Sequence, residues 1–315
     1  MGTDSKIPLI IIAGPTATGK TEVAVKVAEK VSGEIISADS MLIYRHMNIG
    51  TAKPTEQEKN GIPHHLVDVA EPDAQFTVAV FQQQARRAIT DIGRRGKTPL
   101  LVGGTGFYID AVIYDYDFGQ AGPSREIRDM LLKEAADKGN QAVHDRLKQV
   151  DPHTADRIHA NNLKRVIRAL EIYYQTGARG WRDKNKIDYS CYNKIFFCLY
   201  FQRDKLYQRI EERVDKMIKQ GLAEEVRELL RRGYHPGLVS MQGLGYREMV
   251  GYLHNRYSLE EAVHMLKRNT RRFAKRQLTW LKRYSNIKWI DMGQVNSTDH
   301  VAGEIAELAG RVWQR

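Results

Sequence analysis

A glycine-rich segment at 14–21, GPTATGKT, constrains the fold of this chain more than any other feature. It matches the pattern G-x-x-x-x-G-K-[ST], in which a loop surrounds phosphate with backbone N–H groups. The pattern is specific when a strand precedes the loop and a helix follows it. Here the apolar run IPLIII comes directly before the loop, and a helical spacing of apolar residues begins at Glu22. The sequence therefore predicts a strand, a phosphate loop and a helix in this order.

Two later apolar runs extend this pattern toward a complete sheet. EIISA at 34–38 leads into Asp39, and PLLV at 99–102 leads into GGTG, with a helical pattern at 77–93 between them. Short apolar runs of this kind are typical of buried parallel strands, and open parallel sheets bind ligands at the carboxyl ends of their strands. The fold class that we expect is α/β, with a P-loop NTPase-like parallel sheet core flanked by helices and a helical insertion domain.

The insertion follows from a change of pattern near residue 117. Candidate helices after that point lie at 124–138, 142–150 and 162–175. The apolar run KIFFCLYF at 194–201 then indicates that the sheet resumes. We therefore expect a core formed by 1–117 and 191–315, with basic helices at its end, and a helical insertion at 118–190.

The charge of the chain is unevenly distributed. The net charge is +11, but residues 1–120 carry 12 Lys and Arg against 14 Asp and Glu, so the remaining 195 residues carry 37 against 24. A basic surface attracts polyanions, because neutralised phosphates release their counterions. The composition favours a polyanionic partner, and a basic enzyme without a nucleic-acid partner is the alternative.

The cysteines and the hydropathy of the sequence indicate where in the cell the protein is expected to act. Cys191 and Cys198 stand at a spacing that fits neither a zinc site nor a disulfide framework. No apolar stretch approaches the roughly 18 residues of a membrane span. We expect a cytoplasmic protein with reduced thiols and no membrane association.

The loop and the strand ends supply the candidates for phosphate chemistry. Lys20 offers a cation and Thr21 a hydroxyl that can bind a metal. Asp39 could be a metal ligand, a general base or a helix cap, and Thr105 could contact phosphate or cap the next helix. The strand at 100–102 ends in glycine, where nucleotide-hydrolysing P-loop proteins place a magnesium-binding Asp.

A basic segment at 262–290 is the second marked feature. It carries nine Lys and Arg and no Asp or Glu, whereas solvated helices usually mix both signs. This segment is expected to contact a phosphate backbone. Trp280 within it is either a core residue, as a lone Trp more often is, or a platform for base stacking.

Two other motifs leave alternatives open. Arg209 and Arg213 lie four residues apart on one helix face. They either pair with the nearby Glu212 and Asp215 or clamp an anion at the phosphate loop. The pair at 64–65, His-His, has no carboxylate or cysteine at ligand spacing and is interpreted as loop structure.

Together these motifs resemble those of the tRNA dimethylallyltransferases, which modify adenosine 37 beside the anticodon. The resemblance runs along nearly the whole chain through GPTATGKT, SADSMLIYRHMNIGTAKP, GIPHHLVD, LLVGGTGFY, RIEERVDKM, MQGLGYREM and RRFAKRQLTWLKR. The chain departs from the family pattern at Leu42, where many members have Gln, and at Ala160 and Asn162, where Pro and Asp are expected.

The resemblance implies a reaction that transfers no phosphoryl group. The loop is implied to hold the diphosphate of dimethylallyl diphosphate, while N6 of adenine attacks the allylic carbon and diphosphate leaves with Mg²⁺. In this chemistry Asp39 orients N6 and accepts its proton. Thr105 donates to a phosphate oxygen, and Lys20 and Arg213 stabilise the leaving group. Thr21 is the metal-side hydroxyl.

The resemblance also implies two sets of binding residues. The diphosphate-binding set is Gly14, Thr16, Ala17, Thr18, Gly19, Lys20 and Thr21. The tRNA-binding set is Asp39, Ser40, Met41, Leu42, Lys164, Arg165, Gln242, Gly245, Tyr246, Arg247, Arg271, Lys275, Arg276, Gln277 and Trp280.

The expected partner is the anticodon arm of tRNAs that read codons beginning with U, and the protein is expected to act as a monomer. A P-loop kinase of a small metabolite is the principal alternative. A non-catalytic RNA-binding protein is a third class, which the residues Asp39, Thr105 and Arg213 disfavour.

Overall fold

The computed structural model describes residues 6–116, 118, 122, 124–177 and 191–313. Two compact units form, one from Met1–Ile113 with Tyr189–Arg315 and the other from Tyr114–Asp188. The end of the insertion predicted at 118–190 lies outside the described residues.

A six-stranded sheet forms the centre of the larger unit. Its strands are β1 (Ile7–Ala13), β2 (Gly33–Ser37), β3 (His64–His65), β4 (Thr98–Gly103), β5 (Tyr192–Tyr200) and β6 (Ile287–Asp291). All neighbouring strands are parallel, in the order β3-β2-β4-β1-β5-β6. The prediction of a parallel α/β core flanked by helices is therefore confirmed, and the carboxyl ends of β1, β2 and β4 meet at one edge.

Helices occupy most of the remaining described chain. They are α1 (Lys20–Lys30), α2 (Glu56–Lys59), α3 (Val78–Arg94), α4 (Gly106–Ile113), α5 (Arg125–Val150), α6 (Pro152–Arg157), α7 (Leu163–Thr176), α8 (Arg203–Lys219), α9 (Leu222–Arg231), α10 (Tyr246–Leu253), α11 (Leu259–Leu281) and α12 (Thr298–Trp313). None of them, within the residues described, is long and apolar enough to cross a membrane.

Two of the apolar cores of the larger unit position its helices. The first lies between the sheet and the helices α1 and α12, and it includes the completely buried Ile10 and Ile12 of β1. The second joins α8, α9, α10 and α11 to the segment after β2 through residues such as Ile43, Met47 and Tyr246. The second core brings the C-terminal helices to the edge where the strands end.

The smaller unit has its own core, formed by α5, α6 and α7. Its long helix α5 is kinked at Gly139, whose φ of 83° lies in the left-handed region. The two helices predicted at 124–138 and 142–150 lie on either side of this glycine. The buried carboxylate of Glu171 holds the unit together by accepting hydrogen bonds from the backbone of Ser124 and from Arg168.

Two short strands differ from the sequence interpretation. The pair His64–His65, interpreted as loop, forms β3 beside β2. Residues Ile287–Asp291, which begin in the basic segment and end one residue beyond it, form β6 at the opposite edge of the sheet. Both are pairings between distant parts of the chain, so local apolar patterns do not predict them.

A buried carboxylate, Glu34, ties β2 to the chain entering β4. Only 2% of its side chain is exposed, and it accepts hydrogen bonds from Arg95, Lys97 and His65. The Arg95 guanidinium, followed by Lys97 and His65, holds the pKa of this carboxyl far below its ordinary value of 4.5, although burial opposes the shift. The negative charge of Glu34 therefore stabilises the folded chain at neutral pH.

We expect Glu34→Gln to lower the free energy of unfolding by about 1–3 kcal/mol at neutral pH. A carboxyl with a lowered folded pKa contributes stability that is lost as pH falls below the unfolded value. Urea unfolding between about pH 5.5 and 3.5 should therefore show wild type losing more stability than Glu34→Gln. Equal losses in the two proteins would contradict this assignment.

Candidate functional site

A cavity of about 710 Å³ opens in the larger unit at the carboxyl ends of the strands. Its wall includes the phosphate loop at 16–21, the segment at 39–42 and part of the loop at 50–54. Side chains from α8, α10 and α11 complete it. The cavity therefore joins the first motif of the sequence to its C-terminal helices.

The phosphate loop depends on a close approach between backbones. Gly14 has a φ of 155°, and a Cβ added there would lie 2.3 Å from the Leu199 carbonyl oxygen. Inside the loop, the Thr18 hydroxyl and the Lys20 ammonium both donate to the Pro15 carbonyl, at 2.8 and 2.7 Å. Because α1 begins at Lys20, its unpaired N–H groups lie at this cavity, as an anion site requires.

Arg209 and Arg213 of α8 both bind the phosphate loop. Arg213 Nη1 donates to Thr16 Oγ1 at 3.2 Å, and Arg213 lines the cavity. Arg209 Nε donates to the Ala17 carbonyl at 2.9 Å and stacks on the Phe201 ring. The structure therefore favours the clamp over local pairing, and it gives Arg213 the position facing the cavity.

The local pairing that the sequence allowed is replaced by other contacts. Glu212 accepts from Gln208, and Asp215 pairs with Lys267 of α11. Burial lowers the pKa of Arg213, and the Asp39 carboxylate partly offsets this. Arg209 and Arg213 thus bring two positive charges to the phosphate loop, which indicates a site for an anion.

Lys20 is a cavity residue whose pKa is strongly lowered. Burial and the nearby Arg213 charge lower its pKa to about 8, while Asp39 raises it to a smaller extent. An anion bound in the loop would favour the protonated amine. The charge of Lys20 is therefore sensitive to the occupancy of the site.

Asp39 and Thr105 lie together where β2 and β4 end. Asp39 Oδ1 accepts from the Met41 N–H at 2.8 Å, which fixes the orientation of the carboxylate. Thr105 Oγ1 accepts from the Ser40 N–H at 3.1 Å, and the Thr105 N–H donates to the Ala38 carbonyl. Asp39 and Ser40 line the cavity, and Thr105 supports the segment that carries them.

Gln277 joins the phosphate loop to the loop after β4. Its Oε1 accepts from the Thr16 N–H at 3.0 Å, and its Nε2 donates to the Gly104 carbonyl at 2.9 Å. The side chain is only 6% exposed. Both ends of its amide are therefore bonded inside the protein, where they position the phosphate loop. The contact of Gln277 with RNA stays a prediction.

Trp280 is half-buried and packs against the start of α4. A Cβ at Gly106 would lie 2.2 Å from the Trp280 ring, so only glycine fits beneath it. Phe107 meets the ring edge-on at a centroid distance of 6.3 Å, and Arg283 stacks on it. Of the two interpretations of this residue, the structure favours packing, and contact with RNA stays a prediction.

The basic charges of α11 are less uniform than the sequence suggests. Lys267 pairs with Asp215 of α8, and Arg271 pairs with Glu211 of the same helix. Lys275 and Arg276 are exposed, and Arg276 also lines the cavity. Two of the nine cations are therefore neutralised across a helix pair, which a count along one segment cannot detect.

The other predicted RNA contacts lie in the cavity wall, directly before α10 and in the smaller unit. Those that line the cavity are Met41, Leu42, Gln242, Tyr246 and Arg247. Gly245 comes directly before α10, with a φ of 91°. Lys164 and Arg165 belong to α7 in the smaller unit. Their contact with RNA stays a prediction.

Glu225 is a site residue that the sequence analysis missed. Its carboxylate accepts from the N–H groups of Asn48, Ile49 and Gly50 at 2.9, 2.8 and 3.2 Å. It also accepts from the Tyr246 hydroxyl at 2.7 Å. One carboxylate therefore fixes the loop that forms a wall of the cavity. A Glu in an amphipathic helix resembles any solvated charge, so the sequence carries no signal for this role.

The residues present are compatible with Mg²⁺ bound together with diphosphate. In the described part of the chain no three His, Cys, Asp or Glu residues form a metal-binding group. Mg²⁺, however, is commonly bound by one or two carboxylates, substrate phosphates and water. Thr21 and Asp39 line the cavity, and the buried Ser37 Oγ beside them has no protein partner. This hard oxygen set fits Mg²⁺.

The fold and the site thus define an α/β protein with a P-loop-like core. A family model described as IPP transferase matches residues 42–284, and one described as isopentenyl transferase matches residues 7–69. The chain belongs to the IPP transferase family, as the resemblance of its motifs indicated.

Relatives with similar sequences match over nearly the full length. A protein of Pelotomaculum thermopropionicum named tRNA dimethylallyltransferase is 52% identical over 305 residues, which cover 96% of each chain. A protein of the same name from Alkaliphilus oremlandii is 52% identical over 295 residues, covering 93% of this chain and 94% of the relative.

Solved structures agree with these matches. The tRNA isopentenylpyrophosphate transferase of Bacillus halodurans is 44% identical, with a TM-score of 0.74, and the match covers 98% of this chain and 97% of that one. A eukaryotic dimethylallyltransferase, described as acting on tRNA, is 30% identical with a TM-score of 0.82. That match covers 96% of this chain and 78% of the other.

The pKa of Lys20 predicts how diphosphate binding depends on pH. The amine is charged below about pH 8 and neutral above it, and an anion prefers the charged form. Binding of inorganic pyrophosphate should therefore weaken as pH rises through this value, by up to about tenfold per pH unit.

Calorimetric titration at about pH 7, 8 and 9 would measure this effect. Lys20→Met is the matched control, because the protonation of pyrophosphate itself changes equally in experiments with either protein. The variant should bind pyrophosphate more weakly, and its affinity should lack the decrease that the loss of the Lys20 proton causes. Parallel profiles would show that the charge of Lys20 does not control binding.

Proposed function

We propose that this protein transfers a dimethylallyl group from dimethylallyl diphosphate to N6 of adenosine 37 in tRNAs that read codons beginning with U. The products are N6-isopentenyladenosine and diphosphate. The supporting observation is the cavity in which the phosphate loop, Lys20 and Arg213 open beside Asp39. Membership of the IPP transferase family sets the enzyme class, tRNA dimethylallyl transfer.

The leaving group accounts for the cations of the site. When the allylic carbon–oxygen bond breaks, its electron pair stays on diphosphate. Preorganised charges aimed at that developing negative charge stabilise the transition state. Three positive groups are in position to do this: Lys20, Arg213 and the N-terminus of α1. All three lie at the phosphate loop, in the wall of the cavity.

The nucleophile accounts for Asp39. Nitrogen N6 forms a bond to the allylic carbon as the carbon–oxygen bond breaks, and the proton that N6 loses passes to the Asp39 carboxylate. The hydrogen bond from the Met41 N–H holds that carboxylate in one orientation. Thr105 holds the neighbouring Ser40 through its N–H. Both contacts support a fixed base at the cavity wall.

Mg²⁺ would be held by the Thr21 hydroxyl, with Asp39 and Ser37 nearby in the cavity wall. When bound, it would supply positive charge to the departing diphosphate. The chain's own part is to hold the diphosphate and to present oxygen ligands.

A small-metabolite kinase is the less favoured function. Its magnesium-binding Asp would end the strand next to β1, where this chain has Gly103 at the end of β4. A Cβ at Gly103 would lie 2.3 Å from the Ala38 carbonyl oxygen, so no Asp fits there without moving β2.

The RNA side of the proposal rests on the surface around the cavity. An adenine stacked in an anticodon loop must be turned out to reach a cavity, at a cost of a few kcal/mol. Exposed Lys275 and Arg276 of α11 are suited to repay this cost by contacting phosphates. We further propose that the insertion contacts the anticodon arm through Lys164 and Arg165, and that the protein acts as a monomer in the cytoplasm.

The decisive experiment supplies purified protein with Mg²⁺, dimethylallyl diphosphate and unmodified tRNA carrying adenosines 36 and 37. Mass spectrometry of the nucleosides should detect prenylated adenosine at position 37. Asp39→Asn should lower the transfer rate by about a hundredfold or more while tRNA affinity stays within about twofold. Phosphorylation of a metabolite from ATP without any prenylated nucleoside would replace this function with the kinase.

The basic surface gives a second prediction. Lys275→Ala should weaken tRNA binding and reduce the slope of log affinity against log salt by about 0.7–0.9, because one phosphate contact is lost. Lys26→Ala is the matched control, since Lys26 on α1 pairs with Asp299 of α12. Filter binding between about 50 and 300 mM salt measures both slopes, and equal slopes for wild type and Lys275→Ala would exclude this contact.

A further inference from the structure

Two buried polar atoms in the cavity wall have no protein partner. They are the Ser37 Oγ, in a residue only 4% exposed, and the Nε2 of His64. Both residues line the cavity. Buried side-chain polar atoms are nearly always hydrogen-bonded, so two such atoms in one cavity indicate a subsite that a ligand completes.

Strand register places the two side chains on the same face of the sheet. His64 is the partner of Ile35 across β3 and β2, and Ile35 and Ser37 point to the same side because they are two residues apart. Ala24 of α1 lines the cavity beside them. The subsite therefore lies on the face covered by α1, whose first turn contains Thr21.

The adjacent histidine points to the opposite side. His65 is the partner of Ile36, and its Nε2 is 2.8 Å from Glu34 Oε2. Two consecutive histidines thus have separate functions: one stabilises the sheet through a carboxylate, and the other turns an unpartnered nitrogen toward the cavity.

The hydrogen bonding of His64 defines what the subsite accepts. Its Nδ1 is 2.8 Å from the Ile62 carbonyl, which can only accept, so Nδ1 carries the proton. In the neutral ring Nε2 is then an acceptor. Burial lowers the pKa of His64, which maintains this form. The ligand group facing Nε2 must therefore be a hydrogen-bond donor.

Neither of the two parts of the proposed prenyl donor can supply a hydrogen-bond donor. Ionised diphosphate oxygens are acceptors, and a dimethylallyl group has no polar hydrogen. Water bound to a divalent cation is a strong donor, because the metal withdraws electron density from it. Mg²⁺ keeps several such waters when it binds through substrate phosphates.

We propose that His64 and Ser37 accept hydrogen bonds from water molecules on the Mg²⁺ that accompanies diphosphate, an inference that rests on the proposed function. Outer-shell partners of this type fix the position of a metal, and their loss typically weakens metal binding 10–100-fold. His64 and Ser37 are positioning residues for the metal, and they do not touch the reacting carbon or N6.

Calorimetry with inorganic pyrophosphate tests this without prenyl transfer. His64→Ala should weaken the Mg²⁺-dependent part of pyrophosphate binding by about 10–100-fold and leave binding without Mg²⁺ unchanged. His65→Ala is the matched control and should retain the wild-type dependence on Mg²⁺. His64→Gln, whose amide oxygen can accept, should restore part of the loss.

Ser37→Ala keeps the test decisive if His64→Ala does not fold, because the Ser37 hydroxyl has no protein partner to lose. It should also weaken Mg²⁺-dependent binding. An unchanged Mg²⁺ dependence in Ser37→Ala and in folded His64→Ala would overturn the proposal. Weaker tRNA binding with normal Mg²⁺ dependence would also overturn it, by assigning the subsite to the nucleoside. Prenylation by the wild-type enzyme reports independently on the proposed function.

Discussion

The whole site depends on a phosphate loop that is shaped by contacts from distant parts of the chain. Gly14 permits the loop to pass so close to the Leu199 carbonyl that a Cβ at this position would lie only 2.3 Å from its oxygen. Gln277 then holds Thr16 N–H, Arg209 holds the Ala17 carbonyl, and Arg213 holds the Thr16 hydroxyl. Because these groups fix the loop before any ligand arrives, its N–H groups need little reorganisation to bind an anion.

The same arrangement concentrates positive charge. Burial lowers the pKa of both Lys20 and Arg213; the Arg213 charge lowers that of Lys20 further, and the Arg209 charge lowers that of Arg213. Asp39 opposes both effects from across the cavity. A bound diphosphate would relieve this repulsion, whereas a neutral ligand would not, so the electrostatics select for anions before shape is considered.

Sequence analysis predicted more of the fold than of the contacts that form the site. Long apolar runs gave β1, β2, β4 and β5, since burial on both faces leaves a strong pattern. It missed β3 and β6, because His64–His65 is too short and β6 has only one buried residue, Ile290. Spacing on α8 correctly grouped Arg209 and Arg213, but only the fold shows that both reach the phosphate loop. Glu225 and Gln277 act through backbone groups of remote segments, which no local pattern encodes.

The contact between Thr16 and Gln277 spans 261 positions of the sequence, and this has a consequence during synthesis. A ribosome makes the loop, β1 and β2 first, and α11 only near the end of translation. Until α11 emerges, the Thr16 N–H and the Gly104 carbonyl lack the side chain that joins them. The nascent chain can thus form much of its sheet early, yet it acquires a rigid phosphate site only when nearly complete, so partly made chains are poor competitors for diphosphate ligands.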